Sequence, residues 1–341
     1  MRFHIMLVSL ASSKGSRLGI VGVVVFLLTL LLLGGCGGES GEAGGSSGAG
    51  DTMTIAYQPG LGYAQLLIIK QEGWLEEDLP ETEIAWEQLS SGSAIRDGML
   101  AGDIQVGSGG VGPFLVGYSA GVDWKLLSAL NEMDLWLMVA DEQIQNLGDL
   151  GDGSIAMPAP DSIQAVVLRR GAEEQLGDAK ALDNNIVSLA HPDGLQALLS
   201  GQISGHLTSP PFQFQEQDEG ARPVLKSFDV FGPHTFNSVF VREGYHDDNP
   251  EAMEALYSNI QEATELIESD PDTAAEILSE ESGGETSAEE FRRFMTEEGV
   301  AYTTQPNGFI EFAEFMQQIG LIDEVPASQE ELVFDNLKEG G

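Results

Sequence analysis

Short apolar stretches and longer amphipathic stretches alternate along most of this chain. Residues 53–57 read Met-Thr-Ile-Ala-Tyr, which predicts a strand, and residues 60–71 have the apolar spacing of a helix. A second strand is predicted over 83–89, a helix after Ser91, and a third strand over 103–108. This repetition predicts a mostly parallel sheet covered by helices on both faces.

The alternation restarts after an apolar strand at 135–140 and ends with another at 237–242. Between them, strands are predicted at 154–157, 186–189 and 205–208, and helices at 162–176, at 194–199 and from Pro211. Residues beyond Pro250 are predicted to be helical. We therefore predict an α/β fold of two lobes joined by the two crossing strands, with a ligand cleft between them. The predicted division is lobe 1 at 52–137 and 238–341 with the C-terminal helices, and lobe 2 at 138–237.

The N-terminal segment has the parts of an export signal. Basic residues precede an apolar run at 18–33, which is shorter than the roughly 20 residues of a membrane-spanning helix. The run ends in Leu-Gly-Gly and Cys36, the only cysteine, and this motif resembles a bacterial lipobox. We expect a lipoprotein signal peptide at 1–35, a lipid on Cys36 and a flexible Gly/Ser linker at 36–51. The protein would then lie outside the cytoplasmic membrane, anchored to the bilayer. The alternative is an ordinary signal peptide with an incidental cysteine.

The charge is strongly negative and dispersed. The chain has 55 acidic and 15 basic residues, and losing the three basic residues of the predicted signal leaves 12 against 55, a formal charge of −43. Between 247 and 298 acidic residues recur every few positions, opposed only by Arg292 and Arg293. Such self-repulsion is screened at about 1 M salt, where the Debye length is about 3 Å. The composition predicts a halophilic acidic surface and excludes nucleic acid as a partner.

The loops that follow the predicted strands are candidates for a binding site. In open α/β sheets, ligands bind beyond the carboxyl ends of the strands, where free N–H groups at helix starts attract anions. Each such loop alone is more often a plain helix cap, but five occur in order across both predicted lobes. The polar stretch 232–237 beside a crossing strand adds further hydrogen-bonding groups. The predicted ligand contacts are Gln58, Gly60, Tyr63, Ser91, Ser93, Gly109, Gly110, Ser162, Ser209, Phe212, His234, Thr235 and Asn237.

Catalysis has few candidates in this sequence. The only cysteine is assigned to the lipid, and the histidines beyond the signal are not spaced with one another like a zinc site. The sequence contains neither a phosphate-binding Gly-rich loop followed by Lys nor a Gly-x-Ser-x-Gly nucleophile motif. We expect no enzyme activity, no catalytic residue, no metal site and no cofactor.

Several weak motifs occur in a familiar order. They are Tyr57-Gln58-Pro59, Ser90-Ser91-Gly92-Ser93, Gly107-Ser108-Gly109-Gly110, the strand 135–140, and Tyr302-Thr303-Thr304 with Asn307 in the tail. In this order the chain resembles the substrate-binding proteins of nitrate, sulfonate and taurine importers, within the NMT1-like superfamily. The resemblance implies a periplasmic-binding-protein fold of type II that closes on a small solute, as a monomer, and delivers it to the permease of an ABC transporter. Ser209-Pro210-Pro211-Phe212 stands where the family commonly has a Trp-Glu-Pro-like segment.

The ligand class is left open by the sequence. The serine-rich helix starts and the tail favour a small organic anion, an aliphatic sulfonate such as taurine or a nitrate-like ion. One alternative is a thiamine-precursor pyrimidine or another neutral or cationic heterocycle, stacked on Tyr63, Phe212 and Phe236. Another is a lipid-anchored sensor module that uses the same clamp.

Overall fold

The computed structural model describes residues 52–338. The predicted signal peptide at 1–35, the lipidated Cys36 and the linker at 36–51 lie outside the described residues.

Twelve strands and thirteen α-helices lie within residues 52–338. The strands are β1 (Thr52–Tyr57), β2 (Glu83–Gln88), β3 (Val106–Gly110), β4 (Trp124–Ala129), β5 (Asn131–Met133), β6 (Trp136–Val139), β7 (Ile155–Met157), β8 (Ile186–Ser188), β9 (Gly205–Thr208), β10 (Arg222–Lys226), β11 (Asn237–Arg242) and β12 (Val300–Tyr302). The helices are α1 (Ala64–Glu72), α2 (Trp74–Asp78), α3 (Gly92–Ala101), α4 (Val111–Ser119), α5 (Ile163–Leu176), α6 (His191–Leu199), α7 (Phe212–Asp218), α8 (Ser227–Phe231), α9 (Glu243–Asp248), α10 (Pro250–Ser269), α11 (Pro271–Glu281), α12 (Ala288–Met295) and α13 (Phe309–Gln318).

Two five-stranded sheets organise the fold, and they have corresponding designs. The first has the strand order β2-β1-β3-β11-β4, with β1 parallel to β2 and β3 and with β11 antiparallel to its neighbours. The second has the order β10-β6-β9-β7-β8, with β7 parallel to β8 and β9 and with β6 antiparallel to its neighbours. The predicted α/β class is therefore confirmed.

The two antiparallel strands are those predicted to cross between lobes. β6 lies wholly in the second sheet and β11 wholly in the first, so the chain passes between sheets at 134–135 and at 232–236. β5 and β12 form a small antiparallel sheet beside these passages. β12 lies where the sequence pattern predicted only helix.

An aromatic cluster packs between the first sheet and α4. The rings of Phe114, Trp124 and Phe240 lie with centroids 5.0–5.6 Å apart, and all three side chains are buried. Large aromatic side chains contribute strongly to burial. This packing holds α4 against the sheet, and the start of α4 contributes to the site described below.

None of the helices between residues 52 and 338 combines the length and the apolar character that crossing a bilayer requires. Over the same span, no group of three or more His, Cys, Asp or Glu side chains is arranged to hold a metal ion.

Candidate functional site

A small cavity lies where residues of the two sheets meet. Its volume is about 20 Å³, roughly the room that one water molecule needs. It is lined by Gln58, Pro59, Tyr63, Gly92, Gly110, Pro113, Ser162, Ile163, Gln164, His191, Phe236 and Asn237.

Four helices begin at this cavity. Gly92 and His191 are the first residues of α3 and α6, and Gly110 and Ser162 are the N-cap residues of α4 and α5. The N-terminus of a helix carries about half a positive charge and unpaired N–H donors. The cavity is therefore surrounded by partial positive charge, although none of the described residues lining it is Asp, Glu, Lys or Arg.

The capping pattern leaves donors available at two of these four starts. The Ser162 hydroxyl accepts a hydrogen bond from the N–H of Ala165 at 3.2 Å, which caps α5. Ser91 caps α3 in the same way through Ala94. Among the described residues, no side chain caps the start of α4 or of α6. A Cβ atom on Gly110 would come within 2.9 Å of Ile163, so glycine allows α4 and α5 to begin close together.

One wall of the cavity is a chain of hydrogen-bonded polar side chains. The Gln58 amide donates to the hydroxyl of Tyr63 at 2.5 Å, and that hydroxyl donates to Oδ1 of Asn237 at 3.2 Å. The amide of Asn237 in turn donates to the carbonyl of Gly62 at 3.2 Å. Burial raises the pKa of Tyr63, so the hydroxyl stays protonated. These contacts link β11 of the first sheet to the loop after β1.

Five of the thirteen predicted contacts line the cavity, and several others lie close to it. The five are Gln58, Tyr63, Gly110, Ser162 and Asn237. Gly60 and Phe212 line a separate groove of about 590 Å³, which shares Pro59 with the cavity. The remaining six, Ser91, Ser93, Gly109, Ser209, His234 and Thr235, are not part of the lining.

Ser93 has a partner other than a ligand. Its hydroxyl donates to Asp161, whose other oxygen accepts from Nη1 of Arg96 at 2.7 Å. Ser93 and Arg96 lie on α3 beside the first sheet, whereas Asp161 precedes α5 beside the second. The three side chains therefore connect the two halves at the edge of the cavity.

His234 and Thr235 lie in the protein interior. The His234 ring packs against Phe228 and Phe312, with centroids 5.3 and 4.9 Å away, and burial lowers its pKa to about 4. The Thr235 hydroxyl accepts a hydrogen bond from the N–H of Asn307 at 2.8 Å. Both side chains thus tie the passage between the sheets to the C-terminal segment.

Gln164 and His191 line the cavity but were not among the predicted contacts. Nε2 of Gln164 lies 3.2 Å from Nε2 of His191, and Nδ1 of His191 lies 3.2 Å from both Nε2 of His206 and Oγ1 of Thr208. Nδ1 of His206 lies 2.5 Å from Oε1 of Glu216. We call the four side chains Gln164, His191, His206 and Glu216 the relay.

Burial controls the ionisation of the relay. It raises the pKa of Glu216 to about 9 and lowers that of His206 to about 3. Burial, and next the proximity of His206, also hold the pKa of His191 well below its usual range. One local feature could have indicated His191: a proline follows it, and proline is common in the first turn of a helix.

Comparison with known proteins identifies the family of this chain and proteins with a similar fold. A model of the NMT1-like family matches residues 48–279. The putative aliphatic sulfonates-binding protein of Escherichia coli K12 is 23% identical over 237 residues, 68% of this chain and 72% of that protein.

Solved structures agree with this match. The crystal structure of the periplasmic aliphatic sulphonate binding protein from Escherichia coli is similar with a TM-score of 0.63 and 19% identity, covering 84% of this chain and 98% of that one. The crystal structure of the periplasmic nitrate-binding protein from Synechocystis PCC 6803 is similar with a TM-score of 0.68 and 15% identity, covering 84% of this chain and 87% of that one. These relatives are solute-binding proteins rather than enzymes, and the predicted periplasmic-binding-protein fold is confirmed.

Proposed function

This chain belongs to the NMT1-like family, and on that premise we propose that it is the solute-binding protein of an ABC importer of the sulfonate and nitrate type. It captures a small organic anion, an aliphatic sulfonate such as taurine or a nitrate-like ion, and delivers it to a membrane permease. The function of the relatives supports this role, because the Escherichia coli protein carries the name of a sulfonate binder.

The helix starts around the cavity carry the argument for an anion. Four partial positive charges converge there, and the lining within residues 52–338 contains no carboxylate that would repel an anion or neutralise a cation. A cationic ligand would meet the same partial charges without a counter-ion. The aromatic lining residues, Tyr63 and Phe236, are compatible with a neutral heterocycle, which makes such a compound the second candidate.

We propose that the cavity belongs to a closed arrangement of two lobes. Lobe 1 contains the first sheet and the C-terminal helices, and lobe 2 contains the second sheet. Besides the Asp161 contacts, the N–H of Leu61 donates to the carbonyl of Pro210 at 3.0 Å across the same boundary. A cavity of about 20 Å³ has room for about one water molecule and not for a sulfonate, so the lobes must move apart both to admit the solute and to hold it.

The location follows from the N-terminal sequence. We propose that the signal at 1–35 is removed and that Cys36 carries a lipid that anchors the protein outside the cytoplasmic membrane. The segment 36–51 would then act as a flexible linker between the bilayer and the folded part. Mass spectrometry of the protein from membranes tests this proposal. A mature chain that begins at an unmodified Cys36 would contradict it, as would an uncleaved precursor.

A solute panel tests the function. A ligand that binds only the folded state raises the melting temperature as its concentration exceeds Kd. We expect taurine, ethanesulfonate or nitrate to raise it, and a neutral pyrimidine and a quaternary ammonium to leave it unchanged. Stabilisation by the pyrimidine alone would establish the second candidate instead.

A further inference from the structure

The relay connects the cavity with a carboxyl group that lies fully inside the protein. Glu216 and His206 have no exposed side-chain surface, while Gln164 and His191 line the cavity. Within residues 52–338, no hydrogen bond or ion pair joins these four side chains to another charged side chain. The relay is therefore an isolated path from the ligand site to one acidic group.

Two arrangements of protons satisfy the relay, and they run in opposite directions. If Glu216 is ionised, His206 donates to it from Nδ1, His191 donates to His206 from Nδ1, and the Gln164 amide NH2 donates to Nε2 of His191. The amide oxygen of Gln164 is then left for the cavity. If Glu216 is protonated, its O–H donates to Nδ1 of His206 and each histidine carries its proton on Nε2. In the structure the NH2 group of Gln164 faces Nε2 of His191, so this arrangement requires the amide to rotate until its oxygen and nitrogen exchange places. The Gln164 oxygen then accepts from His191, and its NH2 group is left for the cavity.

The contacts of Glu216 favour the protonated arrangement. Only Oε1 has a hydrogen-bond partner, and Oε2 is buried without one among the described residues. A buried carboxylate with an unpaired oxygen is far costlier than a buried neutral acid in the same place. The direction of the pKa values of Glu216, His206 and His191 agrees, because burial favours the uncharged form of each.

We propose that Glu216 and His206 are positioning residues that fix the tautomer of His191 and turn the Gln164 amide so that its NH2 group faces the ligand. This inference rests on the proposed anion-binding function and adds to it a determinant of specificity. An anion gains two N–H donors on a neutral side chain, whereas a ligand with its own donors meets no acceptor at this position. Buried Glu216 thus sets the hydrogen-bonding polarity of the cavity without touching the ligand.

Among the described residues, the hydrogen bonds and ring contacts of the relay with neighbouring elements involve no other titratable group. The groups that face it are Thr208 from β9, whose hydroxyl reaches Nδ1 of His191, and the Phe212 ring from α7, stacked on His191 with centroids 5.6 Å apart. A Cβ atom on Gly194 of α6 would come within 2.4 Å of the His206 ring, so α6 covers that ring closely. Loss of the Glu216 proton is therefore the event that reverses the relay as pH rises.

Nitrogen NMR of histidine side chains tests this proposal without any solute. In the 15N-histidine-labelled protein at pH 7, we expect both His191 and His206 to carry their proton on Nε2. At alkaline pH, both should switch to Nδ1 as Glu216 ionises. In Glu216→Gln, whose amide cannot ionise, the tautomers should not change with pH, and the exposed control Glu219→Gln should behave as the unchanged protein does. Nδ1 protons at pH 7, or a doubly protonated His206, would overturn the proposal.

Calorimetry with ethanesulfonate, which has no group that titrates in this pH range, adds the functional measurement. We expect the affinity of the unchanged protein and of Glu219→Gln to fall roughly tenfold over the pH range in which the tautomers switch, and that of Glu216→Gln to stay constant. An equal fall in all three proteins would contradict the inference. If the tautomers switch as expected but no anion binds, the proposed function fails while the relay stands.

Discussion

The hydrogen bond of the Thr235 side chain predicts that substituting this residue changes stability rather than solute binding. Its hydroxyl accepts from the backbone N–H of Asn307, so it serves the connection to the C-terminal segment. We expect Thr235→Ala to lower the free energy of unfolding by about 1 kcal/mol, because the partly buried N–H of Asn307 loses its acceptor. Urea unfolding measures this loss, and calorimetry should show unchanged solute affinity. A large loss of affinity with unchanged stability would place Thr235 at the ligand instead.

The relay also predicts how stability depends on pH. The pKa of Glu216 is raised in the folded state, so the stability from its proton is complete below the unfolded value and is lost as pH rises towards the folded value. The lowered pKa values of His191 and His206 act oppositely, and stability falls below about pH 6.5, where the unfolded histidines take up protons.

Urea unfolding of Glu216→Gln isolates the acidic group in this dependence. Between pH 5 and pH 9 the free energy of unfolding of the unchanged protein should fall relative to that of Glu216→Gln as the pH rises. Glu219→Gln serves as the matched control, because Glu219 directly follows α7 and its side chain is exposed. A difference that does not change with pH would mean that Glu216 is ionised in the folded state.

At the scale of elements, the start of α3 and the loop before α5 form a contact that we expect to hold the lobes together. Asp161 accepts from both Ser93 and Arg96, across the proposed boundary. We expect Asp161→Asn to shift the solute-free protein towards open forms and to weaken solute binding, since closure then costs more free energy. Small-angle scattering should show a larger radius of gyration. Asp97→Asn is the control, because Asp97 pairs with Arg96 within α3. Equal scattering of the two variants would contradict this role.

Eight of the twelve strands within residues 52–338 could be predicted from hydrophobic spacing, whereas β4, β5, β10 and β12 were not predicted. β3 begins at Val106, whereas the predicted strand began at 103. The prediction missed the correct start because residues 106–110 contain three glycines and show little alternation of apolar and polar residues. α6 begins at His191 rather than at 194, which explains why His191 was absent from the predicted contacts. β12 could not be predicted because its strand character depends on pairing with β5, far away in the sequence.

The site could be predicted only in part for a similar reason. Helix starts after strands are local features, and they identified Gly110 and Ser162 as cavity residues. The burial of His234 depends on Phe312 from α13, and the partner of Ser93 comes from the second half of the fold. Contacts of this kind are set by tertiary packing, so a single sequence does not reveal them.

At the scale of the whole molecule, the net charge makes salt a determinant of stability. The formal charge of the chain is −40, with 55 acidic residues against 15 basic ones. Screening at about 1 M salt removes most of the repulsion between exposed charges. We expect the melting temperature to rise between dilute and molar sodium chloride. Sucrose at equal osmolality is the control for effects other than screening. A melting temperature that stays constant in sodium chloride would contradict the halophilic interpretation.

Calorimetric titration with ethanesulfonate tests most directly whether an anion binds among the helix starts. We predict binding of one sulfonate per protein, with affinity roughly tenfold lower in Ser162→Ala, which loses a hydroxyl in the cavity, and unchanged in Ser200→Ala, an exposed serine at the far end of α6. Binding of only uncharged or cationic solutes would contradict the account, as would sulfonate binding that is equal in Ser162→Ala and the unchanged protein.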